Sequence, residues 1–366
     1  MNVLINSGRT VPFLGTRKKL VTQIINQGHN VILTGYQEEY EEEIRKMGAS
    51  FVKMPVNRAG LNPIADLKLL INYYKLIKKG KIEVVHSYTI KPNIYGSIAA
   101  RLAGVTEIYP TMNGIGYAFT GEGIKAKFVR IIASILYRIA FKCSKKVFFH
   151  NIDDINEIVE QNLLERSKCV LINGSGIDME YYQKKKMPES VSFVLISRLL
   201  RAKGILEYLE AAKNVKKLYK EVSFKLVGPA DPNPTGIKLE DIQSYIDEGI
   251  IDYYGEQADV RPFLEDAAVV VLPSYREGVP HTILEAMAIG RAILSTDVPG
   301  CRETVQEGIN GFLVPVKDSK SLANKMIWMI ENKEAVHKMG EESFKISKHK
   351  FEVSKVNEII VNTMGL

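Results

Sequence analysis

One short segment in the second half of the chain constrains the fold more than any other. Residues Val269–Leu272 form an apolar, β-branched run that is typical of a buried parallel strand. A turn over residues 273–278 follows, Pro280 suits the first position of a helix, and Gly290 suits the residue just past its end. This order predicts an open α/β sheet, in which ligands bind outside the carboxyl ends of the strands. The helix start would offer N–H groups and a positive dipole end, which favour a phosphate.

Two carboxylates flank that helix start. Glu277 lies in the turn and Glu285 lies on the helix, with seven residues between them. Both side chains could reach one ligand stretched across the corner. The spacing alone leaves a second interpretation open, in which the segment is an ordinary strand–turn–helix unit with two solvated glutamates.

The surrounding residues resemble the E-x7-E signature of retaining glycosyltransferases of family 4, which have the GT-B fold. The two glutamates are embedded in Pro-Ser-Tyr-Arg-Glu-Gly at 273–278, and Thr-Asp-Val-Pro-Gly-Cys-Arg-Glu at 296–303 extends the match. The resemblance covers nearly the whole chain and is densest over residues 192–315. It implies an α/β protein of two doubly wound, Rossmann-like domains that face each other across a cleft.

A second turn carries two cations. Arg198 and Lys203 follow a strand expected at 192–196 and precede a helix expected at 205–219. Two cations there would neutralise a diphosphate and stabilise the charge that it gains on leaving. The turn resembles the family's arginine–lysine diphosphate site. The alternative is a pair of surface cations on a βα loop.

The resemblance implies a role for each of these residues in binding a nucleotide-sugar donor. Arg198 and Lys203 would bind the diphosphate, Glu285 the ribose hydroxyls, and Glu277 would act beside the anomeric carbon of the donor sugar. We therefore expect Glu277, Arg198 and Lys203 to be catalytic. The remaining donor contacts would come largely from backbone, at Gly15, Gly278, Val279, Gly255 and Val260.

Length and composition agree with this outline. A chain of 366 residues favours two domains, which we expect at residues 1–183, joined by a returning helix at 351–366, and at 184–350. Three scattered cysteines suit a reducing compartment, and no Cys/His cluster has metal-ligand spacing. We expect no cofactor and no required metal. The start of the chain does not read as a signal peptide, and no apolar run is long enough to span a membrane.

The positive charge is concentrated in the first half of the chain. Residues 1–180 hold 24 Lys and Arg against 16 Asp and Glu, whereas the remainder holds 25 against 26. An anionic membrane surface, a polyphosphate or nucleic acid could each be attracted to such a half, and a generic basic surface is the plain alternative. No nucleic-acid-binding signature accompanies the charge, so nucleic acid is not an expected partner.

The first domain shows a βα rhythm without the glycine fingerprint of dinucleotide sites. Its Lys-Pro-Asn-x-Tyr-Gly at 91–96 and Gly-x-Gly-Tyr-x-Phe at 114–119 resemble the family members that extend polyprenyl-diphosphate-linked sugars of bacterial surface glycans. Candidate acceptor-binding residues, taken from their positions, are His86 at the end of a strand expected at 82–86, Lys91 and Asn93 at the start of the next helix, and Asn113 on the Gly-rich loop. For His86 a packed structural histidine is an equally good interpretation, and for Gly15 a plain turn.

A helix expected at 123–146 is dense in apolar residues and has a basic edge. One interpretation is a helix packed in the core. The other is an interfacial helix that docks on anionic lipid without spanning it, which would place the protein in the cytoplasm against the inner face of the plasma membrane. The cations concerned are Lys125, Lys127, Arg130, Arg138 and Lys142.

The expected reaction is therefore transfer of a sugar, such as an N-acetylhexosamine, from a UDP-sugar to a hydroxyl of a polyprenyl-diphosphate-linked sugar. Retention of anomeric configuration follows from the resemblance alone. Two alternatives are a UDP-sugar 2-epimerase, which needs no acceptor, and a non-catalytic subunit that binds a nucleotide sugar or lipid. His281 departs from the small or basic residue expected at that position, which leaves the donor sugar open.

Overall fold

A computed structural model describes residues 1–56, 62–115, 124–233 and 235–366, with the backbone alone at 124–126. The chain divides into two compact units, Met1–Gly176 with Val353–Leu366, and Ile177–Glu352. The first junction comes earlier than the domain end expected at residue 183. Residues 177–183 belong to the second unit because the Ile177 amide donates to the Phe351 carbonyl at 2.7 Å and the Tyr182 side chain reaches Glu285.

In its described residues the first unit contains a seven-stranded parallel sheet with the order β3-β2-β1-β4-β5-β6-β7. The chain runs outward from β1 to β3 and then returns to place β4 on the other side of β1. The carboxyl ends of β1 and β4 therefore form a topological switch point, where open α/β sheets bind ligands. The strands are β1 Asn2–Asn6, β2 Asn30–Gly35, β3 Ser50–Lys53, β4 Val84–Tyr88, β5 Glu107–Met112, β6 Val147–Phe149 and β7 Cys169–Leu171.

Helices cover both faces of this sheet, as in a doubly wound domain. Their described members are α1 Lys18–Asn26, α2 Glu41–Lys46, α3 Pro63–Lys79, α4 Ser97–Leu102, α5 Ile124–Cys143 and α6 Ile152–Glu160. A C-terminal helix at Val353–Met364 packs Val356, Ile360 and Met364 into the same core as Leu20 and Ile24 of α1. The returning helix expected from the sequence thus belongs to the first unit.

Helix α5 combines a buried face with an exposed apolar one. Tyr137 and Phe141 pack into the core, as the core-helix interpretation requires. The opposite face leaves between 40% and 64% of each of five large apolar residues exposed: Phe128, Ile131, Ile132, Ile135 and Ile139. The Lys125 side chain and residues 116–119 of the predicted Gly-rich loop lie outside the described residues. In the described part of the chain, no helix has the length and apolarity needed to span a bilayer.

The second unit contains a six-stranded parallel sheet with the order β10-β9-β8-β11-β12-β13. Here the switch point lies between β8 and β11, which are neighbours although two other strands separate them in sequence. Every residue of β11 is buried, as its apolar run predicts. The strands are β8 Phe193–Ile196, β9 Phe224–Val227, β10 Asp252–Tyr253, β11 Val269–Leu272, β12 Ala292–Thr296 and β13 Gly311–Val314.

The helices of the second unit complete its two outer layers. They are α7 Ile205–Lys216, α8 Leu239–Asp247, α9 Arg261–Glu265, α10 His281–Ile289, α11 Ser319–Glu331 and α12 Lys333–Ile346, and the C-terminal helix Val353–Met364 of the first unit is α13. Helix α10 begins one residue later than expected, because Pro280 has an extended ψ of 116° and caps the helix from outside it. Gly290 ends α10 in the left-handed conformation, as predicted.

Candidate active site

The turns after β8 and β11 meet at the switch point of the second sheet. The Tyr275 amide donates a hydrogen bond to the Ala202 carbonyl at 2.9 Å, which joins the two turns directly. Gly204 makes this approach possible. It has a φ of +72°, and a Cβ at this position would lie 2.1 Å from the Pro273 carbonyl oxygen. Only glycine fits, and the cations of one turn thereby reach the carboxylate of the other.

Lys203 and Glu277 form an ion pair across the two turns. The Lys203 Nζ lies 2.5 Å from Glu277 Oε1, and the side chains are 26% and 12% exposed. The Ser274 hydroxyl, which is fully buried, donates to the same carboxylate oxygen at 2.7 Å. The sequence predicts that Lys203 and Glu277 bind the same ligand. In the structure these two side chains lie together and are largely shielded from water.

The loop that follows β12 supports the turn that carries Glu277. The Glu277 amide donates to the Pro299 carbonyl at 3.1 Å. Gly300 has a φ of +80°, and a Cβ there would lie 2.3 Å from the Gly278 oxygen. Cys301 is buried behind this contact, and burial together with the Glu277 charge raises the pKa of its thiol to about 12. Gly278 and Val279 thus belong to a packed corner, and Val279 is itself buried.

Arg198 also has a carboxylate partner, which the sequence analysis did not identify. Its Nη1 lies 2.5 Å from Asp231 Oδ2; the arginine side chain is 52% exposed and the aspartate 8%. Asp231 sits in a loop rich in proline and turn residues, to which we assigned no chemistry. Gly228 lets that loop approach, since a Cβ there would lie 1.9 Å from the Ser197 carbonyl oxygen.

Glu285 is held by a tyrosine that sequence reasoning missed. The Tyr182 hydroxyl donates to Glu285 Oε1 at 2.7 Å, and His281 Nε2 lies 3.5 Å from the same oxygen. Burial raises the pKa of Tyr182, and the Glu285 charge raises it further, so the phenol stays protonated and remains a donor. The only available signal was an aromatic residue close to the domain boundary expected at residue 183.

The remaining residues predicted for the donor site, Gly255, Val260 and Gly15, lie on two different loops. In the second unit, the Gly228 amide donates to the Gly255 carbonyl at 2.7 Å, which sets the Gly255 loop beside the turn of Asp231. Val260 follows on that loop and caps helix α9. In the first unit, Gly15 is exposed, and a Cβ added there meets no atom within 4 Å, so packing within that unit does not require glycine.

The predicted acceptor residues lie on β4 or follow β4 and β5. His86 does not end its strand as expected, because β4 continues to Tyr88. His86 and Asn93 are both buried and both contact Thr111: His86 Nε2 lies 2.8 Å from its hydroxyl, and Asn93 Nδ2 donates to its carbonyl at 2.8 Å. Asn113 is exposed just past the end of β5. The structure therefore favours the packed interpretation for the side chain of His86.

Lys91 lies beside this group and is held by an aspartate that the sequence analysis did not single out. Its Nζ lies 2.5 Å from Asp66 Oδ1, and the Tyr95 hydroxyl donates to Asp66 Oδ2 at 2.9 Å. Both members of the ion pair are largely buried, at 11% and 15% side-chain exposure. Asp66 lies in the first turn of α3, a position that also suits a helix dipole, so sequence alone does not reveal this contact.

No group of three or more His, Cys, Asp or Glu side chains in the described ranges is arranged to hold a metal ion. The positive charges at the candidate site come from Arg198, Lys203 and the start of helix α10.

Comparison with known proteins identifies the class. The family model for group 1 glycosyl transferases matches residues 190–332, and that for glycosyl transferase 4-like domains matches residues 10–151. The chain belongs to the family-4 glycosyltransferases of the GT-B fold and is a glycosyltransferase. The predictions of family, fold class and enzyme class are thereby confirmed.

Relatives and solved structures give the same result. A putative glycosyltransferase EpsD of Bacillus subtilis is 33% identical, covering 84% of this chain and 82% of the relative. An N,N'-diacetylbacillosaminyl-diphospho-undecaprenol alpha-1,3-N-acetylgalactosaminyltransferase of Campylobacter jejuni is 28% identical, covering 86% of each chain. A UDP-Gal:alpha-D-GlcNAc-diphosphoundecaprenol alpha-1,3-galactosyltransferase of Escherichia coli is 29% identical, covering 76% and 74%. The fold matches Anabaena Alr3699/HepE in complex with UDP at a TM-score of 0.79, with 18% identity and complete coverage of both chains.

Proposed function

We propose that the protein transfers a sugar, such as an N-acetylhexosamine, from a UDP-sugar to a hydroxyl of a polyprenyl-diphosphate-linked sugar in the synthesis of a bacterial surface glycan. The observation that carries this proposal is the ion pair of Lys203 and Glu277 at the switch point, where the turn after β8, which also carries Arg198, contacts the turn that leads into the helix of Glu285. The relatives' names support the acceptor class, since two of them act on sugars linked to undecaprenyl diphosphate. A neighbour in fold binds UDP, which supports the nucleotide.

The diphosphate would replace the carboxylates that now pair with the two cations. A phosphate group carries more charge and more acceptor oxygens than a carboxylate, so Arg198 and Lys203 gain charge-assisted hydrogen bonds by the exchange. The diphosphate would also interact with the backbone at Gly278 and Val279 and with the positive end of the α10 dipole. We propose that these groups stabilise the leaving UDP without a required metal.

The glutamates would act on the two ends of the donor. Glu285, oriented by Tyr182, accepts hydrogen bonds from the ribose hydroxyls. Glu277, released from Lys203, orients the donor sugar and stabilises positive charge at its anomeric carbon. We propose that the anomeric carbon–phosphate oxygen bond breaks while the acceptor oxygen bonds to the same face, and that the acceptor proton passes to the departing phosphate. This route retains the anomeric configuration.

Other residues would make smaller contributions to donor and acceptor binding, which we assign from their positions in the fold. Gly255 and Val260 would cradle the base through their loop, and Gly15 would offer backbone free of a side chain. Lys91, Asn93, Asn113 and the neighbourhood of His86 would line the path of the acceptor. We propose these contacts from their places at strand ends and in loops.

We propose further that α5 docks on the anionic inner face of the plasma membrane. Three of the predicted cations, Lys127, Arg138 and Lys142, are exposed on this helix with the apolar face, the combination by which interfacial helices bind anionic lipid. Arg130 is instead half-buried on the side of Tyr137 and Phe141. An acceptor anchored in the bilayer makes such docking useful, because the enzyme then meets its substrate in two dimensions.

Turnover is tested by nucleotide release over a panel of UDP- and GDP-sugars, with polyprenyl-diphosphate monosaccharides as acceptors. We expect UDP release that depends on the acceptor, occurs with one sugar, and is lost in Glu277→Gln and Arg198→Ala. Release or isomerisation without acceptor would indicate the epimerase instead. Tight donor binding with no release from any pair would indicate a non-catalytic binding subunit.

Docking is tested by vesicle flotation with anionic and neutral lipid. Replacing Ile131 and Ile135 with serine should release the protein from anionic vesicles. Leu218→Ser is the matched control, because Leu218 is 68% exposed in the second unit, away from the basic half. Equal flotation of both variants would refute the docking of α5.

A further inference from the structure

The first unit buries a guanidinium to which the described residues offer no carboxylate partner. Arg17 lies between β1 and α1 and is 7% exposed. Its Nε and Nη1 find no hydrogen-bond acceptor among the described residues. Burial lowers the pKa of Arg17. The interaction with Tyr88, including a side-chain hydrogen bond, works against that effect, but no carboxylate in the described ranges does so. A buried charge is costly unless it is paired, so this arrangement requires a reason.

The groups around Arg17 are aromatic or basic. Its guanidinium carbon lies 3.7 Å from the centre of the Tyr88 ring. The His86 ring lies 4.5 Å from the Tyr88 ring, centre to centre, and its Nδ1 has no partner in the described part of the chain. Burial, together with the Arg17 charge, lowers the pKa of both His86 and His150 to about 3. Arg17 therefore brings N–H donors and a positive charge into this cluster, and no described carboxylate balances that charge.

This cluster lies where the fold predicts a ligand. Arg17 follows β1, and Tyr88 ends β4, so both belong to the switch point of the first sheet. The next residue, Thr89, is β-branched and has a φ of +70°, a conformation that costs energy for such a side chain. Its hydroxyl accepts a hydrogen bond from the Gly8 amide at 3.1 Å, which ties the loop after β1 to the end of β4.

We propose that Arg17, with His86 and His150 beside it, forms an oxyanion subsite in the first unit that binds a phosphate group of a substrate. The subsite is built from residues of the first unit, whereas Arg198 and Lys203 belong to the second. Identifying the substrate rests on the proposed function, in which both donor and acceptor carry a diphosphate; the anion site itself does not. A bound phosphate supplies the missing negative charge and the missing acceptors in one group.

The thermal stability of the unliganded protein distinguishes an arginine kept for a ligand from one that stabilises the fold. A structural arginine stabilises the fold, and its loss lowers the thermal midpoint. An arginine kept for a ligand leaves a buried charge unpaired, and replacing it with an apolar residue of similar volume removes that cost. We therefore expect Arg17→Met to keep or raise the thermal midpoint without ligand while losing the stabilisation that phosphate compounds confer.

The experiment uses the full chain carrying Arg198→Ala and Lys203→Ala, so that the second unit contributes no diphosphate site. Thermal midpoints are measured with and without inorganic pyrophosphate for this background, and for the background with Arg17→Met or Arg17→Lys. Arg101→Met, at an exposed position in α4, is the matched control for loss of a cation. Pyrophosphate should raise the midpoint of the background and of the Arg101 variant, and should not raise that of Arg17→Met. Because the thermal midpoint is measured without turnover, this experiment tests the anion site independently of the proposed function.

Kinetics in the otherwise unchanged enzyme then identify the source of the phosphate. Arg17→Met should raise one KM by about ten- to a hundredfold, as expected for a lost charge-assisted hydrogen bond. A rise for the polyprenyl-diphosphate sugar alone assigns the subsite to the acceptor, and a rise for the UDP-sugar alone assigns it to the donor. A pyrophosphate shift that persists in Arg17→Met, or unchanged values of both KM, would overturn the proposal. If Arg17→Met does not fold, Arg17→Lys is used instead, and an unchanged KM for both substrates in that variant would also overturn it.

Discussion

Lys203 Nζ lies 2.5 Å from Glu277 Oε1, so the cation expected at the diphosphate and the carboxylate expected at the donor sugar neutralise each other in the free protein. Arg198, the second cation expected at the diphosphate, is likewise neutralised by Asp231 on the neighbouring loop. Each cation is thereby held at the carboxyl edge of the sheet before any ligand arrives. Donor binding would exchange carboxylate partners for phosphate oxygens, which frees Glu277 to face the sugar.

The ion pair predicts that Lys203→Ala and Glu277→Gln both lower the rate of transfer. Either change removes a group aimed at charge that develops as UDP leaves, and such losses cost about 10²- to 10³-fold in kcat. Steady-state kinetics with saturating acceptor measures the effect. The exposed pair Lys213 and Glu248 supplies the control, because Lys213→Ala removes an ion pair far from the switch point. Variants of Lys203 and Glu277 that keep kcat within about twofold would be incompatible with the assigned roles.

Tyr182→Phe should weaken donor binding while leaving the acceptor unaffected. The change removes only the hydroxyl that donates to Glu285 at 2.7 Å, and a hydrogen bond to a charged group contributes about 1.5–3 kcal/mol. We expect the KM for the UDP-sugar to rise by roughly tenfold or more, with little change in the KM for the acceptor. Tyr181→Phe is the matched control, since Tyr181 is 51% exposed. Equal effects of the two substitutions would contradict a role for Tyr182 in orienting Glu285.

Gly204 and Gly249 have similar backbone angles, but only one of them lies against backbone of another segment. Comparing them distinguishes the cost of a steric clash from the cost of a left-handed backbone conformation. Gly204 and Gly249 have φ values of +72° and +66°, but only Gly204 has backbone within reach of an added Cβ. Gly249→Ala should cost about 1–2 kcal/mol in the free energy of unfolding, the ordinary penalty for this conformation. Gly204→Ala should cost clearly more, and should also lower activity, because the two turns must part. Denaturant unfolding of both variants measures the difference; equal costs would show that the contact with Pro273 is not limiting.

The buried His86 makes stability depend on pH. Its pKa is about 3 in the folded protein against an ordinary 6.5, so the unfolded chain binds a proton that the folded chain excludes. The contribution is complete above about pH 6.5 and is lost as the pH falls towards 3, at no more than about 1.4 kcal/mol per pH unit. A His86→Gln variant should therefore lose less stability than the parent between about pH 6 and pH 4. Parallel slopes in urea titrations at these pH values would contradict the buried, neutral state of His86.

The sequence was informative where a short pattern determines both structure and chemistry. The β11 strand, its turn and α10 follow from an apolar run, a proline and a glycine. Arg198, Lys203 and Glu277 were chosen as site residues from their turns after strands, and Glu285 from its place on the helix that follows. The start of α10 was wrong by one residue, because the extended ψ of Pro280 is set by the packed turn before it and not by its residue type.

Contacts between distant segments could not be predicted in the same way. Asp231 and Tyr182 lie 33 and 103 residues from their partners, and neither belongs to a local pattern that marks a site. Arg17 is a sharper case, because Arg-Lys-Lys at the start of a helix reads as an exposed basic cluster. Only the arrangement of β1 and β4 shows that the first of these cations is buried and the next one exposed.

The central claim is glycosyl transfer with retention to a lipid-linked sugar, and the linkage in the product tests it most directly. A polyprenyl-diphosphate monosaccharide is incubated with the UDP-sugar that supports release, and the product is examined by mass spectrometry and by the anomeric proton coupling in NMR. We predict a product heavier by one sugar residue, with an α linkage formed from the α-linked UDP donor and no product with Glu277→Gln. A β linkage, or a changed sugar with no gain in acceptor mass, would contradict the account.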